Sequence, residues 1–257
     1  TKRFHAGWSA HSGLVAGLLA KEGFTGPSSI IEGKFGFLNS YSSAADPNKV
    51  LTGWGDPYEI LNTSIKPHAC CRYKQGTIDC ILGIMAENGL QASDIASVEA
   101  AILNAGFALV AEPSDQKQNP SSVVDAQFSM PFGAAVAMKY GDAFLDRYSL
   151  ENLADSEIKV LMPLVRCIKD EAIEADFPKR WPAKVKITTR DGRDFSTRLD
   201  HPKGDPENPL SWEEIISKFN RLASPVFDGQ KTAKIVDEIR SLEDCKDVSL
   251  LMEKLAK

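Results

Sequence analysis

Strand-like patterning is confined to the middle of this 257-residue chain, and that confinement limits the fold more than any other feature. Residues 95–103 (IASVEAAIL) and 185–198 (VKITTRDGRDFSTR) carry the β-branched, alternating texture of strands. The second stretch turns at Asp191-Gly192, a dipeptide suited to a tight hairpin. Elsewhere apolar residues recur at helical spacing, over 9–22, 75–88, 125–140, 157–167, 212–223, 230–241 and 248–256. A short helix is expected after Ser28 or Ser29. A polar loop is expected at 112–122, and loop with short helix from 38 to 61. Strands restricted to about 63–201, with helices at both ends, predict a mainly α chain with an α+β insertion. The expected layout is a helical domain in two parts, 1–62 and 202–257, around a smaller α+β lid domain, 63–201.

Composition removes several classes of function. Thirty Lys+Arg against 35 Asp+Glu give a net charge of −5, which offers no broad basic field for nucleic acid or an acidic membrane. The longest apolar runs, such as Leu14 to Ala20, are far shorter than the ~20 residues of a membrane helix. Five cysteines, an odd number in a chain this long, fit a reducing compartment, so a cytoplasmic location is expected. The opening Thr1-Lys2-Arg3-Phe4 runs directly into a helical pattern with neither methionine nor signal peptide, and predicts that the chain is the later part of a longer protein.

The histidines and cysteines do not read as a metal site. His5 and His11 are six apart rather than four, and Cys70 and Cys71 are adjacent, too close to share a tetrahedral centre. No glycine-rich phosphate loop and no G-x-S-x-G elbow occurs. Two segments do concentrate cations on special backbone. Lys2-Arg3-Phe4-His5-Ala6-Gly7-Trp8 places positive charge at a helix start, where the dipole favours anions; it reads either as an anion pocket or as solvated basic residues. Lys66-Pro67-His68-Ala69-Cys70-Cys71-Arg72-Tyr73-Lys74-Gln75 brings Lys, His and Arg together within seven residues. Pro67 fixes φ and pushes Lys66 into extended backbone. This segment reads either as a site or as a surface segment whose cysteines are small buried hydrophobes.

Three stretches carry a family resemblance. TKRFHAGWSAHSGLVAGLLAKEGFTGP, KPHACCRYKQGTID and AQFSMPFGAAVAM resemble, in the expected order, signatures of the MmgE/PrpD family. That family includes 2-methylcitrate dehydratase, cis-aconitate decarboxylase and iminodisuccinate epimerase. The resemblance implies an all-helical domain that forms a homodimer, a smaller lid, an active site between them and no cofactor. It places Lys2 on the family's first active-site lysine and Lys66 on its second. His5, His68, Arg72 and Gln75 become candidate substrate-binding residues. His68 stands where many relatives carry an aromatic residue, which leaves its role open.

Substrates in such a family are small di- or tricarboxylates, from which an α proton or carbon dioxide is lost. Either step adds negative charge to an anion, so ammonium groups held away from water suit it as charge stabilisers. A desolvated lysine could instead serve as general base. Arg72 would clamp a carboxylate, and His68 would donate or carry a proton. Dehydration of 2-methylcitrate is the nominal reaction implied, with decarboxylation or epimerisation as alternatives. The other class considered is a non-catalytic helical dimerisation and lid fragment.

Overall fold

The computed structural model describes residues 2–56 and 58–255, with the side chains of residues 2 and 3 left out. The chain forms two compact units, Thr1–Tyr58 and Glu59–Lys257. Most of it is helical, and one small sheet provides the strands. Among the described residues no helix is long and apolar enough to cross a membrane.

The first unit is led by the helix Lys2–Lys21, which begins seven residues before its expected start at residue 9. It ends where Gly23 and Phe24 donate their amides to the carbonyls of Ala20 and Leu19. Residues 28–36 form turns rather than the expected short helix, because Phe37 and Leu38 bond back to the carbonyls of Ile30 and Ile31. The helix Phe37–Tyr41 follows. No described side chain of this unit is buried; Phe4, Trp8, Leu14, Leu18 and Phe35 are all exposed.

The second unit is built on four strands, β1 (Ile95–Ala101), β2 (Val165–Ile168), β3 (Ala183–Thr189) and β4 (Asp194–Leu199), in the order β2-β1-β3-β4. β1 and β2 are parallel, with Val98 opposite Val165. The pairs β1–β3 and β3–β4 are antiparallel, with Val98 opposite Ile187 and Ile187 opposite Phe195. The expected hairpin is therefore present, and Gly192 at its tip has φ +85°. Burial alternates along β3: Ala183, Val185, Ile187 and Thr189 point inward, while Lys184 and Lys186 do not.

A parallel β1–β2 pair needs a long crossover, and residues 102–164 supply it. Its main element, the helix Met130–Tyr140, lies against β2 and beside the helix Gln75–Asn88, which covers β3 and β4. Ile78, Ile81 and Ile84 from one helix and Phe132, Val136 and Ala137 from the other fill the core. Each large aliphatic group so buried contributes about 1.5–3 kcal/mol.

Two expectations are corrected here. The single helix expected over 125–140 is two, Val123–Gln127 and Met130–Tyr140. Ser129 caps the second, accepting from Phe132 N at 3.0 Å, and Pro131 occupies its first turn. The helix expected over 157–167 stops at Leu161, because Pro163 has no amide to continue it. The chain then extends into β2, which contains Cys167.

Beyond the sheet come the helices Trp212–Ala223, Gly229–Arg240 and Val248–Leu255. Ser211 and Glu214 form a capping box at the start of the first of them. Ile235 is buried, whereas Leu222, Ile239 and Leu242 are exposed. Each of these helices is covered along only part of its circumference. Arg221 fixes Trp212–Ala223 to the 142–147 loop by pairing with Asp146 at 3.0 Å and lying over the Phe144 ring at 3.9 Å.

Candidate functional site

The segment from Ile65 to Asp79 is held from several directions, which turns a cation-rich loop into ordered structure. At its start Ile65 donates to Gly204 O at 2.8 Å. Gly204 has φ +89°, and a Cβ on it would overlap the Ile65 carbonyl. In the middle, Ala69 N reaches Ala143 O and Cys71 N reaches Gln127 O, both at 3.0 Å. At its end the segment becomes the Gln75–Asn88 helix.

Gln75 organises the turn. Fully buried, it accepts from His68 N at 3.2 Å. Its amide Nε2 donates to His68 O at 3.0 Å and Cys70 O at 3.3 Å, with Cys71 O at 3.4 Å. One turn later on the same helix face stands Asp79. Asp79 Oδ1 lies 2.9 Å from His68 Nε2, and Oδ2 accepts from Lys203 N at 2.9 Å. The result is an oriented imidazole with a carboxylate behind it, His68 being 8% exposed.

Lys66 donates its ammonium to Cys70 O at 3.1 Å. Its own carbonyl accepts from Lys218 Nζ at 2.8 Å, a residue 152 positions later on the Trp212–Ala223 helix. Among the described residues neither lysine is paired with a carboxylate. The Lys218 pKa is lowered, first by partial burial and then by the charge of Lys66. Two neighbouring ammonium groups without a counter-ion favour an incoming anion.

Arg72 is otherwise engaged. Its Nη2 meets Asp205 Oδ2 at 2.6 Å, and its guanidinium lies 4.8 Å from the Trp181 ring centroid. Lys74 is inside the core, with no exposed surface. Its Nζ donates to Ala126 O at 3.0 Å and lies 5.1 Å from the Tyr148 ring centroid. Burial pulls its pKa down to about 8, and raises those of Cys70 and Tyr148 beside it. Cys70 and Cys71 are buried free thiols.

The structure thus brings Lys66, His68, Arg72 and Gln75 into one segment, with Gln75 bonded inward. His5 is exposed on the Lys2–Lys21 helix of the other unit. The side chain of Lys2 lies outside the described residues. Three participants escaped sequence reasoning: Asp79, Lys218 and Asp205. The only local signal was for Asp79, four residues after Gln75 and so on its helix face; Lys218 and Asp205 are brought in by tertiary packing.

Comparison with known proteins accords with this segment's signature. A family model described as the MmgE/PrpD C-terminal domain matches residues 68–244, and the MmgE/PrpD N-terminal domain matches residues 1–49. The cis-aconitate decarboxylase of Aspergillus terreus is 26% identical over 268 residues, covering 99% of this chain and 54% of that protein. The cis-aconitate decarboxylase-like protein oryM of Aspergillus oryzae is 24% identical, covering 98% of this chain and 54% of that protein. Human cis-aconitate decarboxylase is 24% identical, covering 98% and 52%. The chain spans about half the length of the relatives it matches.

Proposed function

The chain belongs to the MmgE/PrpD family, and from that premise we propose that its whole protein is a lyase that removes carbon dioxide from a small tricarboxylate of the cis-aconitate kind. The observation that carries this reading is the pair Lys66 and Lys218: the Lys218 ammonium is held on the Lys66 carbonyl and senses the Lys66 charge, and among the described residues neither has a carboxylate partner. The names of the relatives favour decarboxylation over the dehydration of 2-methylcitrate that the resemblance puts first.

In such a decarboxylation the bond from carbon to one carboxylate breaks, carbon dioxide leaves, and the electron pair stays on carbon. The pair spreads through the adjacent double bond towards a second carboxylate, and protonation of carbon ends the step. An ammonium fixed at that second carboxylate lowers the barrier, because the charge it faces grows as the reaction proceeds. Lys66 takes this role, and Lys218 holds a carboxylate beside it. His68, backed by Asp79, is the proton carrier. Gln75 holds the turn that aims His68. Lys2, His5 and Arg72 remain assigned to the same substrate on the family resemblance alone.

The proposal includes a homodimer and a helical domain built from 1–62 and 202–257 around the 63–201 lid. Light scattering on the full-length protein should return twice the monomer mass. The activity test is a screen of the full-length protein with cis-aconitate, 2-methylcitrate and iminodisuccinate, following carbon dioxide, double-bond absorbance and stereochemistry. Carbon dioxide from cis-aconitate supports the reading. A new double bond from 2-methylcitrate without carbon dioxide would replace it with dehydration, and inversion of iminodisuccinate with epimerisation. Turnover of none would leave a dimerisation and lid segment.

A further inference from the structure

The loop that returns the chain from β4 to the Trp212–Ala223 helix reads His201-Pro202-Lys203-Gly204-Asp205-Pro206-Glu207-Asn208. It is closed on itself. Asn208 Nδ2 donates to His201 O at 3.0 Å, Gly204 N to Asn208 O at 2.8 Å, and Asn208 N to Asp205 O at 2.9 Å. This folding gathers His201, Asp205 and Glu207, one donor atom of each lying within 4.8 Å of the others. His201 Nδ1 and Glu207 Oε2 are 3.6 Å apart.

Asp205 supplies the independent observation. It is 4% exposed, and its Oδ2 is taken by Arg72 at 2.6 Å, yet its Oδ1 is buried with no hydrogen-bond partner. A buried carboxylate oxygen without a donor costs about 1–3 kcal/mol or more. An ion pair between His201 and Glu207 would leave that oxygen unanswered.

We infer that His201, Asp205 and Glu207 form a binding site for a divalent transition-metal ion, with Asp205 Oδ1 as its buried ligand. One imidazole nitrogen and two carboxylates suit zinc or manganese. Such ions hold nitrogen and oxygen donors at about 2.0–2.2 Å, so neighbouring donors stand roughly 3–3.5 Å apart, and the 3.6 Å of His201 and Glu207 needs little adjustment. Exposure of Glu207 leaves an entry path from solvent. The Asp205 carboxylate bridges the ion to Arg72, as outer-shell partners commonly do for metal-bound carboxylates. Histidine and cysteine spacing gave no hint of this centre, since two of its three ligands are carboxylates. The ion would fasten the return loop to the segment that carries Lys66 and His68. It takes no part in the proposed reaction, so the inference stands apart from that reading.

The test is calorimetric titration of the chelator-treated full-length protein with Zn²⁺, and separately with Mn²⁺ read by its paramagnetic resonance signal. Binding of one ion per chain is expected, with a rise in the melting midpoint. His201→Gln and Glu207→Gln should each weaken affinity about tenfold or more. Asp205→Asn should do the same, but it also loosens Arg72, so the two other variants decide. Absence of one-to-one binding would overturn the assignment. So would unchanged affinity in His201→Gln, which would move the ion to another group such as the exposed Cys245.

Discussion

Lys218 Nζ donates to the main-chain carbonyl of Lys66 at 2.8 Å, across 152 residues of sequence, and the Lys66 charge lies near enough to lower the Lys218 pKa. Such a pairing opposes folding slightly, and an anion placed between the two relieves it. Lys66→Met should lower kcat/KM of the full-length enzyme by about 10²–10³, the scale of losing one preorganised stabilising donor. Lys2→Met is expected to behave alike. Lys218→Met should act mainly on KM, since its carboxylate is bound equally in ground and transition states. Steady-state kinetics on the three variants check this. Near-wild-type turnover for Lys66→Met removes Lys66 from the chemistry.

Gly204 sets where the segment begins. With φ +89° and its Cα facing the Ile65 carbonyl, it admits no side chain without moving backbone. Gly204→Ala should destabilise the fold by about 1–3 kcal/mol or more, read as a lower urea midpoint. A midpoint equal to wild type would show that the Ile65–Gly204 contact yields easily.

Gln75 uses both ends of its amide inside the protein, so its removal should appear as lost stability rather than as lost affinity alone. Gln75→Leu strands several buried backbone groups at once, and a loss of about 2–4 kcal/mol is expected. Gln75→Asn, one methylene shorter, should not restore it. Denaturant unfolding decides. An unchanged midpoint with a raised KM would make Gln75 a substrate contact instead.

Legibility in the sequence followed the range of the interactions. The Asp191-Gly192 hairpin and the Gln75–Asn88 helix are set by neighbours a few residues away, and both were readable. β2 was not. Its apolar residues follow a helical pattern, and only Pro163 together with the parallel pairing to β1 makes Val165–Ile168 a strand. The site divides in the same way. Lys66, His68 and Arg72 cluster in sequence, each with a partner of its own in Cys70, Asp79 and Asp205. Lys218, Asp205 and Lys203 join them only because the chain returns across the sheet, and no local pattern marks a residue for a partner more than a hundred positions away. Lys74 inverts its sequence reading, a member of a basic cluster that turns out to lie in the core.

That buried lysine makes the last prediction. Lys74 has its pKa lowered to about 8 by desolvation, against 10.5 for the ordinary side chain. Below about pH 8 it is charged in both folded and unfolded chains, and the folded protein bears the full cost of burying the ammonium. Between about 8 and 10.5 the unfolded chain binds more protons than the folded one. Its contribution to stability therefore rises with pH across that window, by about 1.4 kcal/mol per pH unit at most. Cys70 and Tyr148, whose pKa values are raised by burial, act in the opposite direction, so the total curve does not isolate Lys74. Comparison with Lys74→Met does. Methionine fills the same space, and Ala126 O keeps a second donor in Ser129 N at 3.1 Å. At pH 7.5 the Met variant should be at least as stable as wild type. Moving to pH 9.5 should shift the difference in favour of wild type by more than about 1 kcal/mol in urea unfolding. A difference that stays constant over that range would mean that Lys74 keeps an ordinary pKa in the folded protein, and that water or another group reaches its ammonium.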